Sequence, residues 1–435
     1  MALEAAGMPT VAVHTHVFAR LARSVATANG MPTLRQAFVP QPVVGRTAPE
    51  LRAYIEGTDP INKCSFIESV IGGLTRPLDG QDLAGLSYTR STPRLLDADT
   101  EDNLHRLFRE NRWTDFAPIV LPTEERVAAM LSGTSHAAEE VVGRLRPTAY
   151  REFWEFTVEK VAVNAVMAGA SPAYLPVILA MAASGVSGRS SSTTSQATVA
   201  LVNGPIRDEI GMHYRIGALG PYSHANVTIG RAYGLLSQNL QGGSVPQETY
   251  MGSQGNFLNY NATFAENEQA SPWEPFHVQH GFKPGDSTVS LFLGGWYTVF
   301  GGGPRETWEQ KFTRSLQACD PYTGPIIALD PLVARGFVER GFTTKQQLID
   351  WCVEHARLPA REYWDNQWIQ TLHRPRALAG VEPYASRLKA APDELIQIFR
   401  PEDVHVVVVG GETGAMWKMI GGGPRLTIVH IDTWR

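Results

Sequence analysis

Cysteine is nearly absent from this chain: 3 residues in 435, Cys64, Cys319 and Cys352, with no CxxC spacing among them. That usage excludes a disulfide framework and a closed zinc site and fits a reducing compartment, so a cytoplasmic protein is expected. Charge is sparse as well. Asp, Glu, Lys and Arg make up 19% of the residues, and the balance is only −5. No cluster of Lys or Arg alternates with aromatics, so nucleic acid is not an expected partner. An uninterrupted apolar run is missing too. The most apolar stretch, Val161 to Val186, is divided by Pro172 and Pro176. Its pieces hold roughly ten residues where a bilayer needs about 20, so no membrane span is expected and the stretch reads as two buried helices. The opening MALEAAGMPTVAVHTHVF lacks the basic start and long apolar centre of a signal peptide. Walker loop, GxGxxG fingerprint, GxSxG elbow and internal repeat are all missing, and no nucleotide cofactor is expected.

Glycine and proline are abundant instead, 40 and 29 residues, which describes ordered loops on a chain long enough for two or three packed units. The fold class expected is α/β, with parallel βα units at both ends around a larger central α/β domain. Residues 1–60 open with PTVAVHTHVF, a β-branched run of the kind that forms a buried parallel strand, followed by a helix closed by Gly30. The strand end carries His14 and His16, and ligands collect at carboxyl ends of strands in open α/β sheets. Residues 61–145 read as a helical bridge, with Thr123 as an N-cap and helix from Arg126. Residues 146–323 form the central domain, rich in Gly, Asn, Ser, Thr and aromatics. Residues 324–435 form a last α/β unit: strand PIIALD, two helices, strand DVHVVVVGG, a glycine-rich loop and strand LTIVHID.

Three features carry candidate chemistry. FAENEQASPWEPFHVQHGF places Glu266, Glu268, Glu274, His277 and His280 within 15 residues of a loop bent by Pro272 and Pro275. Glu266, Glu268, His277 and His280 are a donor set for a divalent transition metal with a position left open for water. The same carboxylates and imidazoles also suit proton transfer without a metal, and equally a solvated loop anchored by its own hydrogen bonds. Next, PYSHANVTIGRAYGLL offers Asn226 or Thr228 as the N-cap of a helix, with His224 just before its positive end. It reads either as an ordinary capped turn or as the floor of a site. The polar, Gly-rich loops around it, VNGPIRDEIGMHYRIGALG and GGSVPQETYMGSQGNFLNYN, suggest several walls of one cavity. Finally, GGETG after a buried strand and SGRSSSTTSQ are read as a close-packed strand-to-helix turn and a polar loop. Cys352 reads as core, and Cys64 as the one cysteine in a loop.

GMPTVAVHTHVFARLARSVATANGMPTLRQAFVPQPV resembles the part of UGSC-type proteins that follows their selenocysteine- or cysteine-Gly-Ser-Cys motif. VEKVAVNAVMAGASPAYLPVILA, VNGPIRDEIGM, GPYSHANVTIGRA, AENEQASPWEPFHVQHGF and VVVVGGETG are similar to blocks of large proteins that accompany or contain that domain. The redox motif itself is missing, Met1 falling where the helix after it should be. The resemblance therefore implies either a start downstream of a recoded codon or a small partner subunit bringing the motif to His14 and His16 by strand addition. Relatives also carry a Cys at the place of Ala170 and another near Phe264; their absence argues against a cysteine-ligated iron–sulfur cluster in this chain.

The expected function is an enzyme acting on a small polar substrate, as the large subunit of an oligomeric complex whose small subunit supplies a thiol or selenol. A lyase or oxidoreductase reaction, cleaving or reducing a carbon–heteroatom bond, is favoured over hydrolysis. His224, Glu266, Glu268, Glu274 and His277 are the catalytic candidates, and Tyr222, Asn226, Asn203, Arg207 and His213 would bind substrate. The alternatives are a metal-dependent hydrolase or hydratase using the Glu and His loop, and a non-catalytic scaffold for a redox partner.

Overall fold

ATVALVN, PIIAL and HVVV are apolar at consecutive positions, which a strand tolerates only where both of its faces are buried. In the computed structural model of the chain these runs become β5 (Ala197–Asn203), β9 (Pro325–Leu329) and β12 (His405–Val408), each buried along its whole length. The structure describes residues 3, 6–28, 31–43, 45–77, 93–145, 154–189, 196–240, 250, 252, 254–256, 262–295, 297–302, 307–422 and 425–435. Gly30 and most of 187–196 and 242–261 lie outside them.

The fold is α/β. One four-stranded sheet has the order β14 (Leu426–His430), β7 (Thr288–Gly294), β5, β6 (Thr263–Ala265). A second has the order β12, β9, β13 (Met416–Gly421), β8 (Thr298–Gly302). Both are mixed: β5 with β6 and β9 with β12 run parallel, and the other pairs antiparallel.

The period-2 alternation of side chains assigns the layers. Val199 and Leu201 of β5 join Ile326 and Ala328 of β9, Val407 of β12 and Ile420 of β13 in one cluster between the sheets. Ala200 and Val202 face the other way, onto helices Val158–Met167, Leu175–Ala183 and His224–Asn239. Ile327, Leu329, Val406 and Val408 likewise pack on helices Trp308–Gln317, Pro331–Glu339 and Lys345–His355. The result is a four-layer helix–sheet–sheet–helix arrangement. The two proline-divided helices are buried as expected, and among the described residues no helix is long and apolar enough to cross a membrane.

The expected boundary at 323 does not separate the sheets. β8, from the central segment, pairs with β13, and β14, from the last segment, returns to β7. The expected glycine-rich loop after β12 also proves shorter than the sequence suggests, because MWKMIG inside it is β13. Trp417 and Met419 alternate with Lys418 there, a pattern that the surrounding glycines obscure. GGETG is thus a strand-to-strand turn rather than the entry to a helix.

At the amino end, β1 (Val11–Thr15) pairs in parallel with β2 (Arg35–Val39), backed by helices Ala19–Ala28 and Phe66–Thr75 around a cluster of Ala37, Val39 and Phe66. β2 is buried as a parallel strand should be. β1 is only partly covered, with Val13 half exposed. Thr123 caps its helix, which begins at Glu124 rather than Arg126.

Candidate functional site

The hydrogen bonds that join the two sheets also align their strand ends. Glu266 N donates to Val202 O (3.1 Å), and Asn267 N donates to Val408 O (2.8 Å), so the exit of β6 lies beside the ends of both β5 and β12. Val409 N then bonds Leu329 O at the end of β9. Four carboxyl ends, from two sheets, open on one side, which is where α/β sheets place their ligands.

A groove of ≈ 860 Å³ lies over these ends, formed by the loop after β5 (Arg207 to Ile216), the segment after β6 (Asn267 to Ala270) and Gly411–Glu412 after β12. A smaller cavity of ≈ 290 Å³ continues it over Asp330 and Gly414. Together they suit a small molecule.

Local chemistry fixes the walls. Arg207 is buried. Its Nε donates to Gly204 O (2.9 Å) and its Nη1 to Glu266 O (2.6 Å), while Nη2 pairs with Glu268 Oε2 (3.2 Å). The guanidinium also covers the Tyr214 ring at 4.8 Å. Tyr214 donates its one proton to Asp208 Oδ1 (2.6 Å), the shorter of its two contacts; Gln269 Oε1 lies at 3.1 Å and accepts from Arg215 Nη2 (2.9 Å). Burial, and then the Asp208 carboxylate, push the Tyr214 phenol up from its usual range, so it stays a donor at neutral pH. His213 and Arg215, both exposed, line the opening. On the far wall Asp330 Oδ2 accepts from Glu412 N (3.1 Å), and Asn267 Nδ2 donates to Gly410 O (2.9 Å). Gly410 has φ +130, and a Cβ there would stand 2.6 Å from Asp330 Oδ2, so the turn requires glycine. The groove therefore offers cations, an imidazole, a carboxylate and a phenol at fixed places, enough to orient a polar molecule and move a proton.

Of the expected substrate-binding residues, Arg207 and His213 line the groove. Asn226 and Asn203 stand behind it. Asn226 Nδ2 donates to His213 O (2.9 Å) and Ala218 O (3.2 Å), and its Oδ1 accepts from His213 N (3.1 Å) and Ser223 Oγ (2.9 Å). It clamps the groove loop onto the helix His224–Asn239. The N-cap of that helix is Ser223, whose hydroxyl accepts from Asn226 N, rather than Asn226 or Thr228. His224 is consequently the first helical residue. It is exposed, with Nδ1 3.2 Å from the Tyr174 hydroxyl, and like the 92% exposed Tyr222 it is not part of the groove lining. PYSHAN is thus a capped turn whose polar groups hold a neighbouring wall.

The Glu and His segment also takes a different role from the one its composition suggests. Glu266 is fully buried. Oε1 pairs with Lys345 Nζ (2.8 Å), itself fully buried, and Oε2 accepts from Asn203 Nδ2 (2.7 Å) and Phe276 N (2.6 Å). Glu268 takes Asn203 Nδ2 (3.0 Å) and Gly204 N (2.8 Å) besides Arg207. Both carboxylates are committed to the frame. Glu274 is exposed. His277 is fully buried in the short helix Phe276–Gln279, and neither ring nitrogen has a hydrogen-bond partner. His280 packs against the Phe276 ring at 4.5 Å, and burial, with Lys345 nearby, holds its imidazole below the usual value. Glu266, Glu268, His277 and His280 do not form the expected metal set: among the described residues no three His, Cys, Asp or Glu side chains come together as ligands.

Sequence reasoning missed Asp208, Tyr214, Arg215, Asn267, Gln269 and Glu412. All lie in stretches whose polarity it noticed, but no spacing distinguishes them; only the meeting of three strand exits does.

In the amino-terminal unit His14 is half buried near Phe38, with burial lowering its pKa, and His16 opens the short turn after β1. Both sit at the strand end as expected. Residues 1–60 match the model of the UGSC family. The match covers the β1–helix–β2 unit and helix Ala48–Glu56, and so the stretch that resembles UGSC-type proteins; the further blocks of resemblance, between residues 158 and 414, lie outside it. No curated protein and no solved structure matches the chain.

Proposed function

We propose that the chain is the large component of an enzyme that acts on a small polar molecule held in the groove over β5, β6, β9 and β12. A thiol or selenol comes from a smaller partner at the UGSC segment. One observation carries the reading: the loop after β5 sets Arg207, Asp208, His213, Tyr214 and Arg215 along a groove whose other walls are the exits of β6 and β12. Arg215 and the ordered Arg207 would orient an anionic or dipolar group, and His213 with the Tyr214–Asp208 pair would hand on a proton. The reaction class is cleavage or reduction of a carbon–heteroatom bond. A thiol–selenol or dithiol pair oxidised to its bridge gives up the two electrons that a reductive cleavage takes. The partly covered β1, with Val13 exposed, supports a surface completed by strand addition.

Native mass spectrometry of the chain purified from cells expressing its neighbouring small proteins tests the partnership. A stoichiometric partner with the Cys/Sec-Gly-Ser-Cys motif is expected, and a fully active lone monomer refutes it. Arg215→Ala and His213→Ala test the groove. Each should abolish most turnover at unchanged stability, and wild-type rates in both would remove the groove from the chemistry.

A further inference from the structure

The ≈ 290 Å³ cavity that continues the groove has donors of its own. β13 brings Lys418 to it. Trp417 and Met419 pack on the helices behind their sheet and Ile420 lies between the sheets, so alternation puts Lys418 on the inter-sheet face, nearer the strand exits than Ile420. Its partner on β9, Ala328, lines the same cavity. Arg215 stands at the junction and lines both cavity and groove. Its guanidinium donates to Gln269 Oε1 and lies over the Tyr214 ring, and among the described residues neither Arg215 nor Lys418 forms an ion pair. Facing them is the turn Gly410–Gly414. Glu412 is left-handed there (φ 63), held by its N–H on Asp330 Oδ2 (3.1 Å) and its carboxylate on Arg335. On either side of it, the N–H groups of Gly411, Thr413 and Gly414 and the Thr413 hydroxyl have no hydrogen-bond partner among the described residues.

The carboxylates around the cavity are engaged where the cations are not. Asp330, the one acid in its lining, accepts from Leu332 N (2.9 Å) and Glu412 N as N-cap of the helix Pro331–Glu339, whose positive end offsets its charge. Glu412 is paired with Arg335, and Asp208 with the Tyr214 hydroxyl. What remains is a surplus of donors: two cations, a hydroxyl and the N–H groups of a turn with a left-handed residue, the arrangement in which successive N–H groups form a concave cradle for an anion. Guanidinium and ammonium groups add charge-assisted bonds to the oxygens of phosphate or carboxylate. We infer that this cavity is the subsite for a phosphate or carboxylate group of the molecule that the groove takes, on the reading of the groove as the substrate site. The substrate is then an anion whose charged end lies on Lys418, Arg215 and the Gly410–Gly414 turn, with its reacting end toward His213 and Tyr214.

Calorimetric titration of the full chain with inorganic phosphate and, separately, with succinate at low salt reads the subsite without turnover. Saturable binding of one of them is expected, and the tighter one assigns the group as phosphate or carboxylate. Lys418→Gln removes the charge at an exposed position and should weaken that binding about tenfold. Thr413→Val should weaken it by a smaller factor. Lys311→Gln, exposed on the helix Trp308–Gln317, removes the same charge elsewhere and should leave binding unchanged. Thermal unfolding of each variant verifies that the fold is kept. Absence of saturation by about 10 mM with both anions overturns the inference, and so does wild-type affinity in Lys418→Gln. Failure of the groove reading is distinct: Arg215→Ala and His213→Ala would turn over at wild-type rates while Lys418-dependent anion binding persisted, leaving an anion site that is not a substrate subsite.

Discussion

The Lys345–Glu266 pair offers the sharpest test of how the two sheets are held together. Both side chains are completely buried, with Nζ 2.8 Å from Oε1. The carboxylate lies where the exits of β5, β6 and β12 meet, since its further donors are Asn203 Nδ2, Phe276 N and, at 3.4 Å, Val408 N. Lys345→Met keeps the apolar length of the side chain and removes the cation. A buried ion broken on one side costs about 3–5 kcal/mol, and the three surviving donors place this case near the lower figure. At about 2–4 °C per kcal/mol for a domain of 150–250 residues, the midpoint of thermal unfolding should fall by roughly 6–12 °C. Glu266→Gln should cost a similar amount, because one donor then faces an amide NH₂. The double variant should cost less than the sum by about 1–3 kcal/mol, because neither residue is left as an uncompensated charge. Thermal unfolding followed by tryptophan fluorescence, with denaturant titration as a check, reads all three. A Lys345→Met midpoint within about 2 °C of wild type, or strict additivity in the double variant, would refute the reasoning. Ligand binding in the groove well below the midpoint should persist in Glu266→Gln, since that carboxylate points into the frame and not the cavity.

Asn226→Ala removes three hydrogen bonds between the groove loop and the helix below it, and a fourth to the helix's own cap Ser223, and should cost about 2–3 kcal/mol and weaken groove binding beyond what the loss of stability accounts for; titration of ligand at a temperature where the variant is fully folded measures this. Gly204→Ala should lower stability by more than about 2 kcal/mol in a denaturant titration, because φ is +87 and the new Cβ would stand 2.1 Å from Asp286 O. His373 accepts from the Tyr363 hydroxyl (2.9 Å), and burial, then Arg387, push its pKa from 6.5 down to about 4. The unfolded chain therefore takes up a proton before the folded one does. Stability should be independent of this group above pH 6.5 and fall as the pH is lowered toward about 4, and His373→Gln should flatten that slope in melting experiments across the range.

Much of the fold can be read from local pattern. Runs such as ATVALVN and HVVV are apolar at every position, so they announce strands covered on both faces, and Pro172 and Pro176 divide the buried helices where the sequence divides them. What stays hidden is pairing. Nothing within LTIVHID says that it will lie beside Thr288–Gly294 rather than beside the neighbouring PIIAL, and nothing in TVFGG says that it will cross to Met416–Gly421. Those choices depend on distant partners. The groove inherits this, since its walls come from exits of strands more than 200 residues apart.

The Glu and His segment shows why chemical composition misleads about function. Carboxylates and imidazoles clustered in sequence look reactive because each could bind a metal or carry a proton. Reactivity in a protein, however, requires an uncommitted lone pair facing a cavity. Glu266 and Glu268 spend their oxygens on Lys345, Arg207, Asn203 and backbone N–H groups, which is what a bend joining two sheets needs if its buried charges are to be neutralised. Asn267, between them, carries the less conspicuous side chain and is the one that lines the groove. The alternation along Glu266, Asn267 and Glu268 thus divides frame from site, and a segment chosen for its charges contributes to the site mainly through the neutral residue between them.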